Sequence, residues 1–401
     1  MSNFKIDFLL KQHTPIVHFQ SNQMGATLRA TELKPKLDKF LLAIEEGVPF
    51  ITNANGHRSL NYKVNITQNV SQKEKINPKH PLFFANMGLD KLSPEERLKV
   101  EKFFKFSDSP FRIVFFSYVP EVLNAINKHF EAFLAQTNFG TRQSKGLGCF
   151  YLADKTNRKN LPYSSALVPF KTYSFKSSAS GYANDIKLLY SFLRQGINFP
   201  KGQDNCPETR FYAKPAIFAY AKHRGWTWDK KAIKQKFFPE TLSEQIGCRN
   251  SEDVLSYSGE SEYLLRDIFG LSSEQEWRSY GKKITKEGTR KEDSKKKEVA
   301  IQRFKSPITF KPILEEGNKM TVYFWANDTV NDILGEEFSI NAGRGAQALK
   351  LKTPSEDEFS FDEFFTFAFN INLSQHISNE FHSQGEYTRL TKMYEDIKES
   401  K

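Results

Sequence analysis

The sequence lacks the features that mark membrane proteins and secreted proteins. No apolar run approaches the ~18 residues that a membrane span needs. The first ten residues include Asp7 and no small-residue cleavage pattern, so we expect no signal peptide. The three cysteines form no closely spaced pair, unlike a disulfide framework or a cysteine-based zinc site. We therefore expect a cytoplasmic protein with no membrane partner.

Several enzyme signatures are also missing. The sequence contains no phosphate-binding P-loop, no HExxH zinc motif and no acidic calcium-binding loop. We accordingly predict no metal site, no cofactor and no catalytic residue.

What the sequence does have is an excess of basic residues that is unevenly spread. The 401 residues include 58 Lys and Arg against 47 Asp and Glu, which gives a formal net charge of +11. Residues 1–160 hold 23 basic and 14 acidic residues, so +9 of this charge lies there. A concentrated basic excess predicts a polyanionic partner for the N-terminal part of the chain.

The first 160 residues show alternating and helical patterns in a fixed order. Apolar alternation or short apolar runs predict strands at Phe4–Leu10, Leu60–Ile66, Phe111–Tyr118 and Cys149–Leu152. Helical spacing predicts one helix through Leu33–Ile44 and another that begins at Pro120. The resulting β-α-β-β-α-β order is that of a ferredoxin-like (RRM-like) domain, with residues 69–110 as an insertion.

Residues 161–401 have a similar but less regular order. We expect a strand at Thr172–Lys176, a helix at Asn184–Gln195, a hairpin from Ile301–Ile313 to Met320–Ala326, and a helix at Phe361–Ile377. A largely helical insertion is predicted at about 198–300, with a mobile loop at Gly281–Lys297 because of its charge. The predicted fold class is therefore α+β, with two ferredoxin-like domains, 1–160 and 161–401, that carry long insertions.

A glycine-rich segment, Asn138–Phe150, is the sharpest local signal. It combines turn-forming glycines, small polar residues and cations: Gly140, Gly146, Gly148, Thr141, Ser144, Arg142 and Lys145. Glycines permit a positive φ, and exposed backbone N–H groups can hold an anion. The segment is therefore either a phosphate-binding loop or an ordinary connector from helix to strand.

A second basic segment, Met24–Lys36, coincides with the start of the first predicted helix. It contains three cations and two threonines: Arg29, Lys34, Lys36, Thr27 and Thr31. Because a helix N-terminus favours anions, cations there are explained by a bound phosphate. The alternative is a solvated basic surface.

These two motifs resemble those of the RAMP superfamily of CRISPR-associated RNA-binding proteins. The family's loop ends in a basic residue followed by Gly-x-Gly, and Lys145-Gly146-Leu147-Gly148 matches it. Leu28–Lys34 is similar to the family's first-helix segment, although Ala30 and Pro35 depart from its glycine-flanked form. Arg303–Pro312 resembles a strand of the two-domain RAMP subunit of Cmr-type, type III effectors.

The resemblance implies an RNA-binding structural subunit of a type III CRISPR antiviral effector, a ribonucleoprotein complex. Its partners would be guide RNA, target RNA, other RAMP subunits and the large polymerase-like subunit. The RNA-binding residues would be those of the glycine-rich segment together with Arg29, Thr31 and Lys34.

An enzyme is the alternative that the sequence leaves open. Some RAMP proteins are metal-independent endoribonucleases that process guide RNA with a histidine as general acid or base. The candidate histidines are His13, His18, His57 and His80. Subunits that cleave target RNA use a loop aspartate, for which Asp90 and Asp108 are candidates.

Overall fold

The architecture comes from a computed structural model. It describes residues 4–17, 27–67, 72–75, 93, 103–155, 167–200, 209–240, 256–277, 282–292, 297–343 and 347–400. Helices and mostly antiparallel sheets alternate along the chain, which confirms the predicted α+β class. Contacts divide the chain into two compact units, Met1–Ile186 with Thr309–Trp325, and Lys187–Ile308 with Ala326–Lys401.

The first unit begins with all six elements predicted for the N-terminal part. In chain order the elements are β1 (Lys5–Gln12), α1 (Ala30–Ile44), β2 (Phe50–Thr52), β3 (Arg58–Leu60), β4 (Lys63–Thr67), β5 (Gln72–Lys75), β6 (Phe103–Phe106), β7 (Phe111–Phe116), α2 (Pro120–Gln136) and β8 (Phe150–Leu152). Four of the strands form an antiparallel sheet in the order β4-β7-β1-β8. In the predicted insertion, β5 pairs with β6, and residues 76–92 and 94–102 lie outside the described residues.

Both helices pack on one face of this sheet. On α1, Leu33, Leu37 and Leu41 recur at helical spacing and are fully buried. From α2, the ring of Phe130 lies 4.7 Å from that of Phe8 on β1 and 5.1 Å from that of Phe115 on β7. Burial of apolar surface contributes about 25 cal/mol per Å² to the stability of the fold. This burial determines which face of the sheet the helices cover.

The remaining elements continue the chain through both units. They are β9 (Tyr173–Ser178), α3 (Tyr182–Arg194), β10 (Ile197–Pro200), β11 (Thr209–Ala213), α4 (Ala216–His223), β12 (Trp226–Thr227), α5 (Asp229–Phe237), β13 (Ser261–Glu262), β14 (Leu271–Ser272), β15 (Glu274–Trp277), β16 (Lys282–Glu292), β17 (Lys297–Ile301), β18 (Arg303–Phe304), β19 (Ile308–Leu314), β20 (Lys319–Ala326), β21 (Glu337–Asn341), β22 (Leu349–Lys352), α6 (Phe361–Ala368), α7 (Leu373–His376) and α8 (Gly385–Glu399). Strands β9, β19 and β20 form a sheet in the order β19-β20-β9. The helix predicted at Phe361–Ile377 is divided into α6 and α7, because the Asn372 side chain caps a new helix start.

We predicted a largely helical insertion at 198–300, but the structure contains strands there as well as helices. The described part of this segment contains α4 and α5 together with several strands. The prediction of a mobile loop at Gly281–Lys297 was wrong, because Lys282–Glu292 forms the central strand of a sheet. Ile284, Lys286 and Gly288 face inwards on alternate positions, and the buried Lys286 ammonium pairs with Asp267. A lysine at an inward position hides the alternation that marks a strand.

A buried lysine on β19 organises the first unit. Lys311 is 0% exposed, and its ammonium donates to the carbonyl oxygens of Leu134 at 2.6 Å, Thr137 at 2.8 Å and Phe150 at 3.1 Å. Two of these carbonyls lie at the C-terminal end of α2, where the helix has unpaired acceptors and favours a cation. Burial lowers the pKa of Lys311. The ammonium therefore joins the end of α2 to β8.

No helix among the described residues combines the length and the apolar character that crossing a membrane requires.

We expect Lys311→Met to lower the free energy of unfolding by about 3 kcal/mol, because three buried carbonyls lose a charged donor while the aliphatic volume is kept. Urea denaturation of the full chain measures this change. Lys319→Met is the matched control, since Lys319 is an exposed lysine on the neighbouring strand β20. Equal losses in the two variants would contradict the role of Lys311.

Candidate nucleic-acid interface

The glycine-rich segment connects α2 to β8 in a crowded conformation. Gly140, Gly146 and Gly148 have φ values of 78°, 86° and 65°, which only glycine adopts without strain. A Cβ added to Gly148 would lie 1.9 Å from the Phe139 carbonyl oxygen, and one on Gly146 would lie 2.7 Å from Pro312. These glycines are therefore required by close packing as well as by backbone conformation.

Several backbone N–H groups of this segment already have protein acceptors. Gly140 donates to the Glu32 carboxylate at 2.6 Å, Thr141 to the Val17 carbonyl at 2.7 Å, and Gly148 to the Pro15 carbonyl at 2.8 Å. The N–H groups of Lys145 and Gly146 donate to carbonyls within the segment. In this conformation these five N–H groups stabilise the fold, so they are not available to hold an anion.

The two basic motifs lie together in the first unit. Glu32 on α1 accepts the Gly140 N–H and also pairs with Lys36 at 3.0 Å. Lys36 donates in addition to the Asn138 carbonyl at 3.1 Å and to the Gln143 side chain at 2.9 Å. Lys36 belongs to the second basic segment, whereas Glu32 is a positioning residue that the sequence analysis did not single out. Their i,i+4 spacing on the helix was a usable signal.

The two cations of the segment have different environments. Arg142 is exposed and has a φ of 53°, so the backbone holds this residue in the left-handed region at the surface. Lys145 is only 8% exposed, and its ammonium lies 5.7 Å from the centre of the Phe310 ring. Ser144 accepts the Phe310 N–H through its carbonyl at 3.1 Å. Arg142 is therefore the cation of the segment that a ligand can reach most directly.

The predicted residues at the start of α1 also separate into exposed and structural groups. Thr31 is exposed, and the half-buried Arg29 is the N-cap of α1. Lys34 donates to the buried Asp38 carboxylate at 3.1 Å and to the Leu60 carbonyl at 2.7 Å. Its ammonium also lies 3.7 Å from the centre of the Tyr62 ring. Lys34 therefore ties α1 to the neighbouring strands.

A groove of about 1110 Å³ runs between α1 and strands β3 and β4; we call it the α1 groove. Thr31 and Lys34 line it. Its lining also includes exposed cations that the sequence analysis did not identify, namely Lys39, Arg58 and Lys63. Their side chains give the groove a basic rim around apolar walls.

The three candidate catalytic residues that the structure describes are not gathered into one site. His13 is 2% exposed, and its Nδ1 accepts the Leu314 N–H at 3.0 Å. Burial, with the nearby Lys311 charge, lowers the pKa of His13 to about 3, so the ring is neutral and inaccessible at physiological pH. His57 is exposed on the α1 groove, and Asp108 is exposed elsewhere. The remaining three candidates, His18, His80 and Asp90, lie outside the described residues.

Within the described part of the chain, no three His, Cys, Asp or Glu side chains are arranged to hold a metal ion.

Two family models match the chain. The model described as Cmr1 N-terminal domain matches residues 3–197, and the model described as Cmr1 C-terminal domain matches residues 212–396. Among solved structures, the crystal structure of Cmr1 from Pyrococcus furiosus in the apo form aligns with 81% of this chain and 88% of that chain, at 10% identity and a TM-score of 0.35. No curated protein matches the chain in sequence.

We expect Gly148→Ala to lower the free energy of unfolding by about 3 kcal/mol or more, because the added Cβ meets the Phe139 carbonyl oxygen in addition to the strained φ. Gly56→Ala is the matched control, since Gly56 has a φ of 78° with nothing within 4 Å of an added Cβ. That change should cost about 1–2 kcal/mol. Chemical denaturation compares the two, and similar losses would argue against crowding at Gly148.

A second expectation concerns acid stability. The pKa of His13 falls from 6.5 to about 3 on folding, so between these values the unfolded chain binds the additional proton. The free energy of unfolding therefore declines as the pH falls from 6.5 to 3, and His13 contributes up to about 1.4 kcal/mol per pH unit. His13→Asn, whose amide oxygen can accept the Leu314 N–H, should make this decline shallower. His57→Asn at an exposed position is the control, and an unchanged slope in His13→Asn would refute the assignment.

Proposed function

The chain belongs to the Cmr1 family and is accordingly a subunit of a multi-subunit type III CRISPR effector complex; we propose that it is a structural subunit of that complex, which binds RNA through the phosphate backbone. The partners we propose are guide RNA, target RNA, other RAMP subunits and the large polymerase-like subunit. Base pairing between guide and target supplies the sequence specificity, so the protein needs contacts to backbone rather than to base edges.

The observation that carries this proposal is the convergence of the two basic motifs on one surface of the first unit. Arg142 is held at the surface by a segment that Glu32 and Lys36 fasten to α1. Thr31 and the exposed cations Lys39, Arg58 and Lys63 lie along the same helix and its groove. A series of cations beside a polar helix start is the arrangement that neutralises successive phosphates.

The proposed roles of the predicted residues follow from their environments. Arg142 contacts phosphate, and the buried Lys145 adds positive charge near it without direct contact. Gly140, Thr141, Ser144, Gly146 and Gly148 shape the segment. At the start of α1, Arg29 and Thr31 extend the surface, while Lys34 keeps α1 and the groove wall together.

We also propose that the fold contains two ferredoxin-like domains, within residues 1–160 and 161–401. The order β4-β7-β1-β8, with α1 after the first strand and α2 before the last, supports the first. For the second, the support is the order β19-β20-β9 with α3 after β9, which corresponds to three of the four strands.

We propose that the chain has a structural role and no nuclease activity. The burial of His13 supports it, because a general acid must reach the substrate within hydrogen-bond distance. Incubating the purified chain with repeat-containing RNA in the absence of metal tests this point. Intact RNA agrees with the proposal, and cleavage that is lost in His18→Ala, His57→Ala or His80→Ala would overturn it.

We expect Arg142→Ala to weaken RNA binding and to flatten the plot of log affinity against log salt by about 0.7, the contribution of one phosphate contact on a single strand. Fluorescence anisotropy at several salt concentrations measures both quantities. Lys128→Ala is the control, because Lys128 is an exposed lysine of the same unit that pairs with Glu45 on the helix side. A slope that Arg142→Ala leaves unchanged would contradict the proposed phosphate contact.

A further inference from the structure

The first sheet has one face that its helices do not cover. Side chains alternate along each strand, and Phe8 and Phe115 point into the core beneath the helices. The opposite residues define what we call the outer sheet face: Lys5, Asp7 and Leu9 on β1, Arg112, Val114 and Phe116 on β7, and Lys63, Asn65 and Thr67 on β4. Lys5, Asp7, Leu9, Arg112, Lys63, Asn65 and Thr67 are exposed.

The strand register sets an aromatic ring between two cations. Phe116 on β7 lies directly opposite Lys5 on β1 and opposite Lys63 on β4. β7 is a central strand, so this row crosses three strands of the outer sheet face. Cross-strand neighbours of this kind lie about 4.5–5.5 Å apart, so one bound molecule can touch all three.

Two more aromatic residues extend the row at the end of the sheet. Tyr118 is 73% exposed, and its ring lies 4.9 Å from that of Phe116 and 5.5 Å from that of Phe4. Phe4 is itself 42% exposed. Soluble monomeric proteins rarely leave three neighbouring aromatic rings accessible to water, so this cluster indicates a binding surface.

The charges of the outer sheet face select the kind of partner. Arg112 and Asp7 form an ion pair at 2.9 Å, and together they add no net charge to the outer sheet face. Lys5 and Lys63 remain as exposed cations on both sides of Phe116. The half-buried Phe116 ring between these cations, next to the exposed ring of Tyr118, suits a polyanion with flat, stackable groups, and that chemistry is single-stranded nucleic acid.

We propose that the outer sheet face binds single-stranded RNA by stacking bases on Phe116 and Tyr118, while Lys5 and Lys63 contact the flanking phosphates. This inference rests on the proposed RNA-binding function and adds base stacking to it. Lys63 also lines the α1 groove, so this residue connects the outer sheet face with the basic rim of the groove. One strand of RNA can therefore follow the edge strand β4 from one surface to the other.

The test compares variants of the full chain in binding a fluorescently labelled single-stranded RNA oligonucleotide. Tyr118→Ala should raise Kd by about tenfold, since each stacked base is worth about 1–3 kcal/mol. Its salt slope should stay at the wild-type value, because no charge is removed. Tyr118→Phe keeps the ring and should keep the affinity, and the high exposure of Tyr118 means that neither change disturbs the core.

Two further measurements separate stacking from a general loss of binding. Lys5→Gln together with Lys63→Gln should flatten the salt slope by about 1.4, because two phosphate contacts are lost. With a double-stranded RNA of the same length, Tyr118→Ala should change Kd by less than about twofold, since paired bases are not free to stack on a ring.

Wild-type affinity for single-stranded RNA in both Tyr118→Ala and Phe116→Leu would overturn the inference and would assign the outer sheet face to a protein partner. That result leaves the proposed function intact if Arg142→Ala still flattens the salt slope in the same assay. Absence of RNA binding by the wild-type chain would instead refute the proposed function. Photo-crosslinking of RNA that contains 4-thiouridine to the peptide holding Phe116 and Tyr118 gives an independent positive result.

Discussion

The ammonium of Lys311 binds the carbonyls at the end of helix α2, and the surface that we propose to bind RNA begins at that point. A single buried cation satisfies two carbonyls at the end of the helix and one on β8. The glycine-rich segment must therefore join two elements that are held close together. Positive φ angles and the absence of a Cβ at Gly146 and Gly148 allow this connection, and Arg142 is presented at the surface as a result.

Cations in the first unit fall into one group that holds the fold together and another group that is exposed. Lys34, Lys36 and Lys311 hold helices, strands and the glycine-rich segment in place through carbonyls and carboxylates. Arg142, Lys39, Arg58, Lys63 and Lys5 are exposed. The number of basic residues in the first unit therefore overstates the number of cations that a ligand can reach, because some of them are required by the fold.

Local patterns were sufficient to predict the six main elements of the N-terminal part, but not which partners the polar groups would find. Alternation at Leu60–Ile66 and helical spacing at Leu33–Ile44 each reflect one buried face, so a short window of sequence contains the signal. The acceptor of the Gly140 N–H, in contrast, is Glu32, which lies 108 positions away along the chain. Strand β16 was missed for a related reason, since Lys286 is tolerated inside only because Asp267 is brought to it by tertiary structure.

The hydrogen bonds made by the N–H groups of Gly140, Thr141 and Gly148 have a consequence for the entropy of association. A loop that uses free amides to hold phosphate must lose conformational freedom when the ligand arrives, and this loss weakens binding. In this chain the segment is ordered before any ligand is present, because three of its amides are bonded to residues 15, 17 and 32. Association then restricts mainly the side chain of Arg142 and the RNA itself. The subunit forgoes amide contacts to phosphate, and in return the surface that receives the RNA is already ordered.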